Sequence, residues 1–269
     1  MKKDFSNFIK SIYQISNDVS IYADLQLRNI DYQTSGSTSN IDQLVVDKKY
    51  SFFNPKAGLN YDINQKNKIY FSLSKAHREP TRSDFENNIN IQPEELIDYE
   101  LGWKYNAEKF FFNSNLYYMG YKNQLVLTGA LDDVGSPIRE NSGKSYRTGI
   151  ELESVFKATN KLNISANISL SENKNVDYKT NYNGVITDWG DTDISFSPNV
   201  ISSAGIQFSA SQDLTFTLLN KFVGNQYMSN TESNISKLSS YSTTDLNILY
   251  TICLLYTSPS PRDGRISLM

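Results

Sequence analysis

The chain has 269 residues, enough for one large all-β domain or two ordinary ones, and its mean hydropathy of −0.48, with no run of about 18 apolar residues, excludes a helical membrane span. Its 26 basic and 29 acidic residues leave a net charge of −3, so there is no global basic footprint for nucleic acid. One Cys excludes a disulfide scaffold and one His leaves little for a His-based metal site, which sets aside most hydrolytic triads and zinc chemistries.

From the first residues onward the pattern is that of strands. Met1-Lys2-Lys3 is basic but is followed by Asp4-Phe5-Ser6-Asn7 instead of an apolar stretch, so it does not read as a secretory signal. Ile21, Ala23, Leu25 and Leu27 alternate with Tyr22, Asp24, Gln26 and Arg28. Phe53, Pro55, Ala57, Leu59 and Tyr61 do the same against Asn54, Lys56, Gly58, Asn60 and Asp62. Ile69, Phe71 and Leu73 share a face opposite Tyr70, Ser72 and Ser74, and Ile97, Tyr99, Leu101, Trp103 and Tyr105 oppose Asp98, Glu100, Gly102 and Lys104. Tyr146, Thr148, Ile150 and Leu152 oppose Arg147, Gly149, Glu151 and Glu153; the strongest series sets Leu162, Ile164, Ala166, Ile168 and Leu170 against Asn163, Ser165, Asn167, Ser169 and Ser171. Weaker versions occupy about 7–15, 109–122, 198–209, 213–223 and 241–251, which makes about eleven strands, many longer than the usual 5–6 residues.

The connections alternate strictly between short and long. Short ones fall at Asn17-Asp18, Asp62 to Asn67, Asn106 to Glu108, Ala158 to Asn160 and Ala210 to Gln212; long ones at about 34–48, 77–95, 124–144, 172–197 and 225–240. An antiparallel up-and-down meander threading a membrane gives this rhythm, with tight turns on one side and long loops on the other. A Greek-key sandwich has no reason to. Lipid demands closure, eleven strands is an odd number, and both chain ends look cut, so the chain reads as part of a larger barrel. Tyr61, Tyr70, Tyr105, Tyr117, Tyr118, Tyr121, Tyr146 and Tyr250 lie near strand ends or short turns, as an interfacial aromatic girdle does.

The composition changes after Thr251. The run Cys253 to Asp263 resembles the conceptual translation of a sequencing adapter, so 253–269 is expected to be a disordered artefact tail and 1–252 the barrel segment.

Several segments resemble TonB-dependent outer-membrane receptors, especially Bacteroidetes-type members: Ala76-His77-Arg78-Glu79-Pro80-Thr81-Arg82-Ser83-Asp84-Phe85, then Glu94 to Gly102, Asn115 to Met119 with Gln124 to Gly129, and Ser145-Tyr146-Arg147-Thr148-Gly149-Ile150-Glu151-Leu152. Their order fits too, and the rhythm of strands and loops extends the likeness over 8–251. The resemblance implies a transmembrane β-barrel of about 22 strands with a plugged lumen, of which this chain carries about half. It also implies a Gram-negative outer-membrane location, surrounding lipid, and a TonB energy-transducing complex acting through a plug domain that this sequence lacks. The implied function is import of a scarce nutrient, a ferric siderophore or similar iron complex as small-molecule ligand, with no enzyme activity and no cofactor. The alternatives are a non-energised outer-membrane barrel, a surface binding or adhesion protein, and a glycan importer of the same superfamily.

Candidate ligand-binding residues lie in the long loops. Arg78, Glu79, Arg82 and Asp84 open one of them; the two Arg suit an anionic chelate, and all four suit a rim salt-bridge network, which is the favoured reading because charges at membrane depth commonly pair with one another. Trp189 suits stacking on a ligand or packing within its loop. Asp188, Asp191 and Asp193 lack the fixed spacing of a calcium loop and read as a solvated acidic loop. Asp132-Asp133 reads as turn chemistry before Gly135 and Pro137. His77 reads as a polar strand-end residue, and Arg147, Glu151 and Glu153 as inward-facing in a polar lumen. No catalytic set and no metal site is expected.

Overall fold

The computed structural model describes residues 1–37, 43–132, 135–182 and 185–252. The expected tail at 253–269 and the turn residue Asp133 lie outside them. In chain order the elements are β1 (Lys2–Gln14), β2 (Val19–Gly36), β3 (Leu44–Asn64), β4 (Asn67–Arg78), α1 (Arg82–Asn87), β5 (Glu94–Asn106), β6 (Phe110–Lys122), β7 (Leu125–Leu131), β8 (Pro137–Asn141), β9 (Lys144–Lys157), β10 (Leu162–Tyr182), β11 (Val185–Asp193), β12 (Val200–Ser209), β13 (Leu214–Val223), β14 (Gln226–Tyr227), a 3-10 turn (Asn234–Ser236), β15 (Lys237–Leu238) and β16 (Tyr241–Tyr250).

Eleven of these form one continuous antiparallel wall in the order β1-β2-β3-β4-β5-β6-β9-β10-β12-β13-β16. Each follows its predecessor along the chain once the outer hairpins are set aside, so the wall is an up-and-down meander. The tight turns are closed by side chains that imitate backbone acceptors. Ser16 Oγ accepts from the N–H of Val19 at 3.2 Å, Asn64 Oδ1 from Asn67 at 3.0 Å, Thr159 Oγ1 from Lys161 at 3.1 Å and Ser211 Oγ from Leu214 at 3.1 Å.

The register gives the wall two unlike faces. Ile21, Leu59, Phe71, Leu101, Leu116, Ile150, Leu170 and Val200 are directly opposed pair by pair across eight strands. Six of the eight are between 38% and 49% exposed. One residue along, Tyr22, Gly58, Ser72, Glu100, Tyr117, Gly149 and Ser171 form the matching row on the other face, and these are all partly or fully covered. The polar face is therefore the concave one and the apolar face the convex one. That is the reverse of a water-soluble sheet, which hides its apolar side, and it is the arrangement lipid requires.

Three cross-strand pairs on the concave face set a tyrosine ring over a glycine: Tyr22 over Gly58, Tyr70 over Gly102 and Tyr117 over Gly149. A Cβ at Gly58 would lie 2.4 Å from the Tyr22 ring, and one at Gly102 would lie 2.1 Å from the Tyr70 ring. Glycine is needed there for space, as in the aromatic covering of strand glycines. The expected girdle is corrected by the same register. Tyr61, Tyr105, Tyr118, Tyr146 and Tyr250 are on the convex face, whereas Tyr70, Tyr117 and Tyr121 point inward, and Tyr70 Oη donates to Asn115 Oδ1 at 3.1 Å. At the tight-turn end the outward girdle is a cluster of Trp103, Tyr105, Phe110 and Phe112, with Trp103 and Phe112 centroids 5.4 Å apart.

The long connections also differ from the expectation of open loops. β2 and β3 stay paired up to Gly36 opposite Leu44, and β10 pairs with β11 up to Tyr182 opposite Val185. These segments alternate as the wall does, but beyond the membrane level they no longer need one apolar face, so the alternation fades before the pairing ends. The six-residue α1 interrupts a series in which no helix was expected.

Candidate functional site

At the long-loop end the chain builds a second kind of structure, with a true interior. Leu44 and Val46 from β3, Phe85 from α1, Ile91, and Leu125 from β7 form a small buried core, with Tyr32 stacked on Phe85 at 5.7 Å. Phe85 and Leu44 have no exposed surface.

The Arg78–Phe85 segment is what docks α1 there. Arg78 donates to Glu94 Oε2 at 3.0 Å and to the Leu125 carbonyl at 3.2 Å. Glu79 turns the other way, to Arg28 at 2.9 Å and Lys2 at 2.5 Å on the first two strands. Burial pushes the Glu79 carboxyl up, and hydrogen bonds from Lys2 and Arg28 outweigh it, holding it below its ordinary range. Pro80 is buried; Asp84, 2% exposed, accepts from both the N–H and the hydroxyl of Thr81 at 2.7 Å and so closes the start of α1. Arg82 is exposed and pairs with Glu86 one turn on, at 2.6 Å. The four residues that share a motif therefore turn to four separate sets of partners. His77 stacks on Phe52 at 4.9 Å and bonds Asn54 at 2.8 Å.

A buried asparagine that sequence reading did not single out ties three outer segments together. Asn230, 1% exposed, donates from Nδ2 to the Leu127 carbonyl at 2.8 Å, and its Oδ1 accepts from the Ser195 N–H at 2.8 Å and from Asn175 at 3.3 Å. Ser195 Oγ donates to the same Leu127 carbonyl at 2.7 Å. The β7–β8 and β10–β11 hairpins are joined again where the Tyr178 hydroxyl donates to Glu140. Burial pushes the Glu140 carboxyl up against the lowering effect of that bond, and burial followed by the Glu140 charge pushes the Tyr178 phenol up.

Trp189 sits on β11, 43% exposed, its indole N–H donating to Thr180 Oγ1 at 3.0 Å. No contact joins it to the Arg78–Asp84 segment among the described residues. The nearby carboxylates do not converge: Asp188 pairs with Lys179 at 2.9 Å, Asp191 accepts from the Asp177 N–H at 3.0 Å, and Asp193 pairs with Lys174 at 2.7 Å. Among the described residues no cluster of three His, Cys, Asp or Glu could hold a metal ion. Asp132 accepts from the Ser136 N–H at 2.7 Å, before Gly135 at φ 83°.

Under this assembly an open groove of about 440 Å³ runs along the concave face, lined by Glu100, Tyr117, Met119, Arg147, Glu151 and Phe196 among others. Arg147 projects into it and donates to Asn173 at 3.1 Å and Ser197 at 2.9 Å. Arg147, Glu151 and Glu153 all lie on this polar face, one residue out of step with Tyr146, Ile150 and Leu152.

The sequence matches the family described as TonB dependent receptor-like, beta-barrel, over residues 3–258. No curated protein sequence matches it. Among solved structures it is similar to the siderophore receptor PiuA from Acinetobacter baumannii, at 18% identity and TM-score 0.75, over 93% of this chain and 37% of that one. It is also similar to the copper transporter OprC, at 15% identity and TM-score 0.71, over 92% and 38%. The ferric yersiniabactin uptake receptor FyuA from Yersinia pestis gives 16% and 0.67, over 93% and 38%. At these identities the likeness is one of fold, and the chain spans little more than a third of each of those proteins.

Proposed function

The chain belongs to the TonB-dependent receptor-like β-barrel family, and from that we propose that residues 1–252 form about half of the wall, with the outer loops, of a receptor that imports an iron complex such as a ferric siderophore. The family is one of outer-membrane transporters of Gram-negative bacteria, not of enzymes. The observation that carries the reading is the two-faced wall: a convex row of exposed apolar side chains alternating residue by residue with a concave row of Ser, Glu, Tyr and Gly.

In this proposal the plug domain and the TonB complex belong to the whole receptor, and the long loops face outward to meet the ligand. Arg78, Arg82 and Trp189 are all exposed; Arg82 and Trp189, bonded within α1 and within the β10–β11 hairpin, are the candidate contacts, one for charge-assisted bonding to an anionic chelate and one for stacking. Arg78, Glu79 and Asp84 support binding indirectly by holding α1 in place. The siderophore receptor and the ferric yersiniabactin uptake receptor among the similar structures favour iron, and the copper transporter among them is a counterweight of the same fold.

The test is uptake by cells carrying the full-length receptor gene or its deletion, using radioiron as ferric catecholate and ferric hydroxamate, with and without a protonophore. Energy-dependent uptake that the deletion abolishes supports the proposal. Unchanged iron uptake alongside lost oligosaccharide uptake replaces it with the glycan importer, and uptake indifferent to the protonophore replaces it with a non-energised barrel.

A further inference from the structure

On the convex face, just beyond the outer tyrosines, the register opposes two lysines directly. Lys122 on β6 faces Lys144 on β9, and the same row runs from Glu95 on one side to Val176 on the other. Like charges directly opposed across strands repel, and such pairs are destabilising unless neutralised. Among the described residues no carboxylate neutralises this one. Neither lysine has a carboxylate within ion-pair distance among the described residues, and Glu95, the acidic neighbour, is taken by Lys75 at 3.1 Å and His77 at 3.3 Å. Lys174, one step lower, is satisfied by Asp193 at 2.7 Å and Glu232 at 3.4 Å, so those acids are committed as well.

The position explains what the repulsion is for. Below the lysines the face is a notch at Gly120, which lies between Ile97 and Tyr146 in the row, with the Tyr118 and Tyr146 rings stacked at 6.2 Å. Notch, rings and lysines together line an open groove of about 420 Å³ on the outside of the wall. Lys122 is at the far end of β6 from Phe110. That is about 30 Å of height at about 3.4 Å per residue and a tilt near 40°, just above an apolar band about 25 Å tall. Lysine ammoniums there sit where headgroups begin, over a surface that suits an acyl chain.

We infer that Lys122 and Lys144, with the groove at Gly120, form a docking site for the phosphate headgroup of an outer-leaflet lipid, the phosphate bridging the two ammoniums. The inference uses the outer-membrane reading and the outward orientation of the long loops, and it is independent of the cargo. Failure of iron uptake leaves it standing, and failure of lipid binding leaves the uptake proposal standing.

The test uses the full-length receptor in discs of neutral phosphatidylcholine, titrated with monophosphoryl lipid A. Lys122→Gln/Lys144→Gln is expected to weaken binding about thirtyfold, from about 1 kcal/mol per lysine near an anionic headgroup. Lys122→Arg/Lys144→Arg keeps the affinity, and Lys104→Gln, on the concave face, leaves it unchanged. In lipid-free detergent the double Gln variant is expected to melt at or above the wild-type temperature, because it loses a repulsion. Equal affinity in the double Gln variant overturns the inference, as does full competition by inorganic phosphate at matched concentration, which points to a free anion. A lower melting temperature, or failure of the variant to fold, also overturns it, since the lysines would then be stabilising the wall itself.

Discussion

The wall and the outer loop assembly are made from the same strand-forming residues but are held together in opposite ways. The wall has no interior of its own: Leu101 and Leu116 are opposed on its convex face at 46% and 49% exposed, and the polar residues behind them are the covered ones. The outer assembly has an ordinary protein interior, with Phe85 and Leu44 fully buried and Asn230 supplying bonds to three segments. The difference teaches where each region finds its stabilisation. The wall depends on lipid outside and on backbone pairing between neighbours, whereas the loops depend on water-excluding contacts with each other.

The largest effect that sharpens this contrast is on the loop side. Phe85→Ala empties the small core and is expected to cost about 3–5 kcal/mol, confined to the loop unit. Hydrogen exchange on the full-length receptor reads it as faster exchange at Leu44, Val46 and Leu125 with unchanged protection in β5 and β6. Loss of protection in both regions would merge the two into one cooperative unit.

The matching wall experiment is Ile168→Arg against Asn167→Arg. Ile168 is convex and pairs with Leu152, while Asn167 is concave and donates to Ser203 Oγ at 2.8 Å. The first is expected to cost about 2–4 kcal/mol near the bilayer midplane, and the second well under half of that. Equal costs in a refolding titration of the full-length barrel contradict the two-faced assignment.

These faces were legible in the sequence because a strand has a side-chain period of two and the wall is long enough to repeat it. The tight turns were legible from Asn, Asp, Ser and Thr at their ends. The girdle was only half legible. Tyr70 and Tyr117 lie near strand ends as girdle residues do, yet Tyr70 falls opposite Ile69 in the alternation, and that parity already marked it as inward. The continuation of β2 to Gly36 and of β10 to Tyr182 was hidden because both faces turn polar above the membrane. Asn230 carried no signal at all, since an asparagine among Ser and Thr resembles any loop residue until three segments close around it. The Arg78–Asp84 motif was visible as a run of charges, but the divergence of its side chains depends on where Lys2, Arg28 and Glu94 arrive in space.

Intermediate effects probe each region's specific fittings. Gly102→Ala places a methyl 2.1 Å from the Tyr70 ring, which Asn115 holds in place, and is expected to cost about 1–3 kcal/mol in wall stability. Tyr70→Ser combined with Gly102→Ala should recover part of that loss, and no recovery in a thermal melt would separate the glycine from the ring. On the loop side Asn230→Ala takes the acceptor from the Ser195 N–H and leaves the Leu127 carbonyl with Ser195 Oγ alone, at about 1–3 kcal/mol. Limited proteolysis should then cut in the connection between β13 and β16, at 226–238, faster than elsewhere.

The smallest effect is a pH dependence confined to the loops. The folded Glu140 carboxyl lies above its ordinary range because burial disfavours its charge, so its contribution is fully present below the ordinary carboxylate range and is lost as pH rises through the raised value. Docking of the β7–β8 hairpin on β10–β11 should therefore tighten on acidification, and Glu140→Gln should abolish that dependence. Hydrogen exchange near Tyr178 at two pH values checks both.

The central claim, an apolar face turned to lipid and a polar face turned inward, is tested most directly by labelling adjacent residues of one strand. Fluorophores on Leu116→Cys and Asn115→Cys in the full-length receptor, in vesicles doped with brominated lipid, should differ sharply. Strong quenching by bromine at 116 and by an aqueous quencher at 115 is the expected result. Equal quenching at the two positions, or the reverse order, contradicts it.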